Sequence, residues 1–226
     1  MKLTFHGHSC FTLEIGNKTI LIDPFLEGNP QSKIKADELT ADFILLTHAH
    51  ADHSADVESI GKRTGALLLG IWEISEYYEK KGLNTHPLNI GGTKDLGFIK
   101  VKMVNAVHSS SFPNGEYGGS AAGFVVYNEE TCIYFAGDTA LTLDMQLIPM
   151  TCPPLDIAVL PIGDNFTMGY EEALIASDFI HCERIVGCHY DTFPYIVLDK
   201  EAAIARFIEE GKELILLEPG QSITNG

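Results

Sequence analysis

The chain has 226 residues, 45% hydrophobic and 20% charged, with 31 acidic against 15 basic side chains and a formal net charge of −16. That length and balance suit one globular domain with a sizeable core, and the acidic excess argues against nucleic acid, whose binding needs basic side chains to displace counterions from phosphates. No stretch is apolar enough for a signal peptide or a membrane span, and the five cysteines, odd in number and without CxxC spacing, read as reduced core thiols of a cytoplasmic protein.

Leu3 to Cys10, Phe11 to Ile15 and Thr19 to Asp23 read as three strands, with a tight turn at Gly16-Asn17. The third is buried and ends in an acid followed by Pro24, a place from which a carboxylate can brace a neighbouring loop. Residues 28–40 are polar, include Pro30, and are expected to form a loop or lid over the site. The apolar run Phe43-Ile44-Leu45-Leu46 is a further buried strand, and it leads directly into Thr47-His48-Ala49-His50-Ala51-Asp52-His53.

Three imidazoles and a carboxylate so close together are costly in a low-dielectric interior unless a cation or a hydrogen bond satisfies them. Both donor types are good ligands for zinc, iron, manganese or nickel. In extended backbone, side chains two apart point the same way, so His48 and His50 can face one ion. A turn into helix over Ser54 to Arg63, with acids early, bases late and Val57 and Ile60 apolar, would aim Asp52 and His53 at a second ion.

Ala66 to Gly70 is then a short strand, and Trp72 to Lys81 a helix with Ile74, Tyr77 and Tyr78 on its core side, ended by Gly82. Phe98 to His108 alternates as a long strand ending at a histidine, and Ser109 to Gly119 is a small-residue loop of the kind that forms a pocket rim. Ala122 to Tyr127 and Cys132 to Ala136 form a hairpin leading into Gly137-Asp138-Thr139. Asp156 to Ile162 is a strand, Glu171 to Cys182 a helix, and Arg184 to Cys188 a strand ending at His189. Lys200 to Glu210 is a helix with Ile204, Phe207 and Ile208 inside, and Glu213 to Leu217 a final strand. Alternating strands and helices imply sheet layers covered by helices, with polar residues gathered along one edge of the strands. Two comparable halves meeting near residues 122–136 would give two sheets between helices.

The succession of Asp23, HxHxDH, His108, Asp138 and His189 resembles the metallo-β-lactamase superfamily. More narrowly, Phe5-His6-Gly7-His8-Ser9, Leu21-Ile22-Asp23-Pro24-Phe25, Ala136-Gly137-Asp138-Thr139-Ala140, Gly163-Asp164-Asn165-Phe166-Thr167-Met168-Gly169 and His189-Tyr190-Asp191-Thr192-Phe193-Pro194 are similar to the small bacterial and archaeal "metal-dependent hydrolase" family, with the ascorbate-phosphate lactonases as a more distant branch. The resemblance covers nearly the whole chain. It implies a single α/β domain over residues 1–226, the four-layer αββα sandwich of two mixed sheets flanked by helices.

The resemblance also implies two divalent metal ions per chain, zinc foremost, with manganese, nickel or iron as alternatives. One ion would be held by His48, His50 and His108, the other by Asp52, His53 and His189, with Asp138 bridging them and Asp23 bracing the His-rich loop from behind the ligands. Ala49 and Ala51 stand where the family usually has glycine, and no ligand is lost. The implied activity is hydrolysis of a small ester, lactone, amide or phosphoester by a hydroxide shared between the ions, with Asp52 orienting it and relaying a proton. His8, at a strand end beside Gly7, is a candidate to touch substrate or donate a proton. His6 reads as a core histidine, and His86 and His181 as surface residues. Asn165, Thr167, Tyr190 and Thr192 are candidates to line the pocket.

Three alternatives share these ligands. A phosphodiesterase or nuclease of the same fold usually carries an added domain or basic arm, and this chain shows neither. A di-iron redox enzyme of the flavin-linked branch typically has Glu at the position of His50. A non-catalytic metal module is disfavoured by the seven ligands, since a structural zinc site closes with four. The expected partner is a small-molecule substrate, with no membrane; a homo-oligomer stays open.

Overall fold

The computed structural model describes residues 1–224, which form two compact units. The first comprises Met1–Asn89, Ser109–Ala121 and the stretch from Leu217; the second comprises Ile90–His108 and Ala122–Leu216.

In the first unit β1 (Lys2–Gly7), β2 (Cys10–Ile15) and β3 (Lys18–Ile22) pair antiparallel in succession. The first strand is shorter than its composition suggests. Gly7 (φ +107°) and His8 (φ +57°) leave the extended region, Gly7 pairs with Cys10, and His8-Ser9 becomes the hairpin turn. β4 (Phe43–Leu45) and β5 (Leu67–Ile71) continue the sheet in parallel beyond β3. Between them the helix predicted from Ser54 begins earlier: α1 (Ala51–Ser54) starts where His53 and Ser54 both donate their N–H to His50 O. A break then precedes α2 (Val57–Thr64), which ends on Gly65 in the left-handed conformation. α3 (Trp72–Glu79) buries Ile74, Ser75 and Tyr78, while Tyr77 is half-buried. β6 (Thr85–Leu88) adds an edge strand absent from the sequence reading, and it leaves His86 half-buried.

In the second unit β7 (Thr93–Asp95), a short edge strand not foreseen, pairs antiparallel with β8 (Lys100–Asn105). β8 stops before His108, so that histidine stands on a loop. β9 (Ala122–Tyr127) and β10 (Cys132–Phe135) form the expected hairpin. A helical stretch that the sequence reading passes over, including α4 (Ile148–Thr151), leads to β11 (Ile157–Pro161). α5 (Tyr170–Phe179), β12 (Arg184–Cys188), α6 (Lys200–Glu209) and β13 (Glu213–Ile215) complete the unit. In α6, Ala203 and Phe207, one turn apart, are fully buried, while Ile208 is 66% exposed; the stripe that meets the core leaves Ile208 on its outer side. The chain then returns to the first unit as β14 (Ser222–Thr224), antiparallel to β1.

The two sheets share one plan, seven strands each, antiparallel on one side and parallel on the other. The change falls at β3 in the first sheet and at β10 in the second. Asp23 and Asp138 lie just past the carboxyl ends of these two strands, and the His-rich motif and His189 lie just past the ends of parallel strands β4 and β12. Such strand ends are where open α/β sheets gather their chemistry, because helix-capped loops leave backbone and side chains exposed there. Among the described residues no helix is long and apolar enough to cross a membrane.

Candidate metal centre

Asp23 organises the first unit's donors. It is 1% exposed, and its carboxylate accepts the Thr47 N–H (2.8 Å), the Thr47 hydroxyl (2.7 Å) and His53 Nδ1–H (2.8 Å). The bond at Nδ1 leaves His53 Nε2 as the ligand nitrogen, the usual way a carboxylate fixes a metal-binding tautomer. Because the Thr47 hydroxyl gives its hydrogen to Asp23, its oxygen accepts from His48 Nδ1–H at 3.0 Å, and His48 also presents Nε2. That nitrogen lies 3.0 Å from His50 Nδ1, the close approach of two imidazoles that share a cation. His8, fully buried, places Nε2 3.2 Å from Asp52 Oδ2, and its ring edge meets His53 at 5.4 Å. His8, Asp52 and His53 each offer a ligand atom within 4.8 Å of the others.

The surrounding loops hold this arrangement from two sides. Gln31 Oε1 accepts the His8 N–H at 2.8 Å, Asn29 Oδ1 accepts the Gln31 N–H at 2.9 Å, and Asn29 Nδ2 donates to Phe25 O at 2.9 Å. The loop over residues 28–40 is thus tied to the β1–β2 turn. Buried Asp56, its carboxyl pushed up chiefly by burial, accepts the N–H groups of Leu26 and Glu27. On the other side Ser110 Oγ accepts the Ala49 N–H at 3.2 Å, and Ser109 Oγ lies 3.3 Å from His50 Nε2. His6, by contrast, bonds Thr12 Oγ1 at 2.7 Å inside the first hairpin.

The second unit carries its own set. Asp138, 2% exposed, has Oδ2 3.0 Å from His189 Nε2 and 3.5 Å from His108 Nε2. Fully buried Thr139 accepts the Val107 N–H at 3.0 Å, and Ala140 N–H donates to Val107 O at 3.1 Å. These bonds explain how His108, beyond the end of β8, is carried to Asp138. His189 takes a left-handed backbone (φ +57°) directly after β12. Asn165 is exposed and Thr167 half-buried on the loop after β11, whereas Tyr190 and Thr192 are buried after β12, with Tyr190 packed in the core of the unit. Cys188 is buried as a small core residue, as are Cys10, Cys132 and Cys182; Cys152 is half-buried, and none of the five is in a disulfide.

In the first unit, imidazole nitrogens with tautomers fixed by Thr47 and Asp23 lie with the Asp52 carboxylate, and in the second His108 and His189 lie with that of Asp138; each is a nitrogen–oxygen donor set that suits zinc, manganese, iron or nickel. A model of the β-lactamase superfamily domain matches residues 2–189. A UPF0173 metal-dependent hydrolase of Christiangramia forsetii is 58% identical over 225 residues, covering 99% of both chains. Another from Flavobacterium johnsoniae is 55% identical over 224 residues, again over 99% of both. The chain belongs to the UPF0173 metal-dependent hydrolases of the β-lactamase superfamily. The fold agrees: Igni18, a metallo hydrolase from the archaeon Ignicoccus hospitalis, superposes with a TM-score of 0.90 at 34% identity, over 100% of this chain and 98% of that one. This UPF0173 hydrolase therefore has the metallo-β-lactamase fold, with two mixed sheets flanked by helices.

Proposed function

We propose that this UPF0173 hydrolase cleaves a small ester, lactone, amide or phosphoester with a pair of divalent ions, zinc foremost. His48, His50 and His108 are assigned to one ion and Asp52, His53 and His189 to the other, with Asp138 shared, in line with the family resemblance. Bound ions of this kind acidify a water and polarise the bond to be broken. The chain's own residues do the rest. Asp52 orients the attacking water and takes up its proton, and His8 Nε2, 3.2 Å from Asp52 Oδ2, receives that proton and returns it to the leaving group. Asp23 holds the His53 tautomer throughout. We further place the protein in the cytoplasm, a reducing compartment that suits five cysteines held in no disulfide.

The observation that carries this reading is the Asp23 carboxylate with its three donors, two from Thr47 and one from His53. A buried acid that aligns ligand histidines in this way has little to do in a protein without metal. The test measures metal content by mass spectrometry and hydrolysis across an ester, lactone, amide and phosphoester panel, before and after chelation. Two ions per chain and activity lost on chelation, restored by metal and abolished by His50→Ala or Asp138→Ala, are the expected results. Hydrolysis that persists unchanged in metal-free protein, or in a variant carrying both His50→Ala and Asp138→Ala, overturns the reading.

A further inference from the structure

Within the first unit the ring protons of His48 and His50 are placed by their neighbours. The Thr47 hydroxyl donates to Asp23 Oδ2 at 2.7 Å, so its oxygen is left to accept from His48 Nδ1–H at 3.0 Å. Neutral His48 thus keeps its single ring proton on Nδ1 and a lone pair on Nε2. That lone pair faces His50 Nδ1 at 3.0 Å, with the two rings nearly perpendicular at 79°.

This contact has two states, and they need opposite tautomers of His50. Without a cation, two facing lone pairs repel, and a bond forms only when His50 Nδ1 carries the proton and donates it to His48 Nε2. With a cation shared between them, both nitrogens offer lone pairs, and the His50 proton has to sit on Nε2. Whatever meets His50 Nε2 must therefore donate in the first state and accept in the second.

Ser109 Oγ stands 3.3 Å from that nitrogen. A hydroxyl suits both demands, because it carries one O–H donor and two lone pairs on a bond that rotates. A carboxylate there could only accept and an ammonium only donate, each holding a single state. The loop that presents Ser109 is fixed by the next residue. Buried Ser110 accepts the N–H of fully buried Ala49 through Oγ at 3.2 Å, and its carbonyl accepts the Gly118 N–H at 3.1 Å. Two consecutive serines thus grip the His-rich motif, Ser110 at its backbone and Ser109 at a ligand ring. Ser109 itself is exposed, which leaves its hydroxyl room to turn.

We propose that Ser109 is a positioning residue for His50, and that metal loading moves the His50 proton from Nδ1 to Nε2 while the Ser109 hydroxyl turns from donor to acceptor. One N–H bond breaks at Nδ1 and one forms at Nε2, with the proton passing through solvent; the ring stays neutral and no proton is released. The inference rests on the metal-dependent reading and deepens it. Thr47 and Asp23 select the ligand nitrogens of His48 and His53, and Ser109 does the same for His50.

The experiment uses the full chain with zinc alone as the probe. Long-range proton–nitrogen NMR of the imidazole rings reads the tautomer, the His50 signals being those missing from His50→Gln. Protonated Nδ1 in the metal-free chain and protonated Nε2 in the zinc-loaded chain are the expected results. Zinc affinity, read by competition with a chromophoric chelator, is expected to fall about tenfold in Ser109→Ala and to return in Ser109→Thr, while the thermal midpoint of the metal-free chain stays where it was. A His50 ring already protonated at Nε2 without metal overturns the switch. Zinc affinity unchanged in Ser109→Ala, or as weak in Ser109→Thr as in Ser109→Ala, overturns the role of the hydroxyl while leaving the hydrolase reading intact. A chain that binds zinc with the expected change of tautomer and hydrolyses nothing supports the proposal and defeats the hydrolase reading.

Discussion

His6 and His8 are separated by one glycine and sit in different chemistry. Burial, with a smaller contribution from Lys2, holds the His6 pKa down to about 4 from an ordinary 6.5, so the folded protein keeps this imidazole neutral. His8, held at its N–H by Gln31, turns its ring to Asp52 instead. The consequence for His6 is a pH-dependent stability. The unfolded chain binds a proton at His6 below pH 6.5 that the folded chain refuses until about pH 4. Stability from this group is therefore fully present above 6.5 and is lost as pH falls through that window, by about 2 kcal/mol between pH 7 and 5. Urea denaturation of wild type and His6→Gln at both pH values checks this: the loss between the two pH values is expected to be smaller in the variant by that amount. Equal losses would show that His6 is not the group held neutral.

At the level of elements, the loop over residues 109–119 is matched to the departure from the family's glycines. A Cβ on Gly118 would stand 2.3 Å from the Ala49 Cβ and 2.7 Å from Ser110 Oγ, so the Ala49 methyl fits because Gly118 has none. Gly118→Ala is expected to force the loop off the motif, break the bond from Ala49 N–H to Ser110 Oγ, and cost about 1–3 kcal/mol, with lower metal occupancy at His50. Ala49→Gly added to that variant removes the methyl clash but not the one with Ser110 Oγ, and is expected to recover part of both, measured by thermal midpoint and bound metal; a double variant no better than the single one would refute the pairing. The seat of Ala49 could not be read from the sequence, because it depends on two segments far apart in the chain. The motif itself could, since its donors follow an apolar strand whose burial makes them expensive. β12 and its terminal His189 were legible for the same reason. The strands that escaped, Thr85–Leu88, Thr93–Asp95 and Ser222–Thr224, are all at sheet edges. Their polar composition and Pro87 disfavour a strand locally, and only a neighbour's free hydrogen-bonding edge recruits them.

Across the whole molecule the governing fact is a formal charge of −16, which sets the folded state against its own repulsion. Two of the carboxylates behind that charge, Asp23 and Asp138, are almost fully buried. Two doubly charged cations would remove a quarter of the net excess and place positive charge beside Asp138, so metal and salt relieve the same strain by different routes. Salt acts on exposed charges through a Debye length that shrinks from about 30 Å at 0.01 M to about 8 Å at 0.15 M. Ions in the interior act where salt screens little. The metal-free chain is therefore expected to melt lower, by roughly 5–10 °C for each ion supplied at about a hundred times its Kd. It is also expected to recover more of that difference as sodium chloride rises than the loaded chain gains over the same range. Thermal melts of chelated and zinc-loaded protein across a salt series read both slopes. Parallel slopes would mean that the bound ions stabilise by local coordination alone and that the overall charge plays no part; coincident melts would mean that the donors of the two units hold no metal in the folded chain.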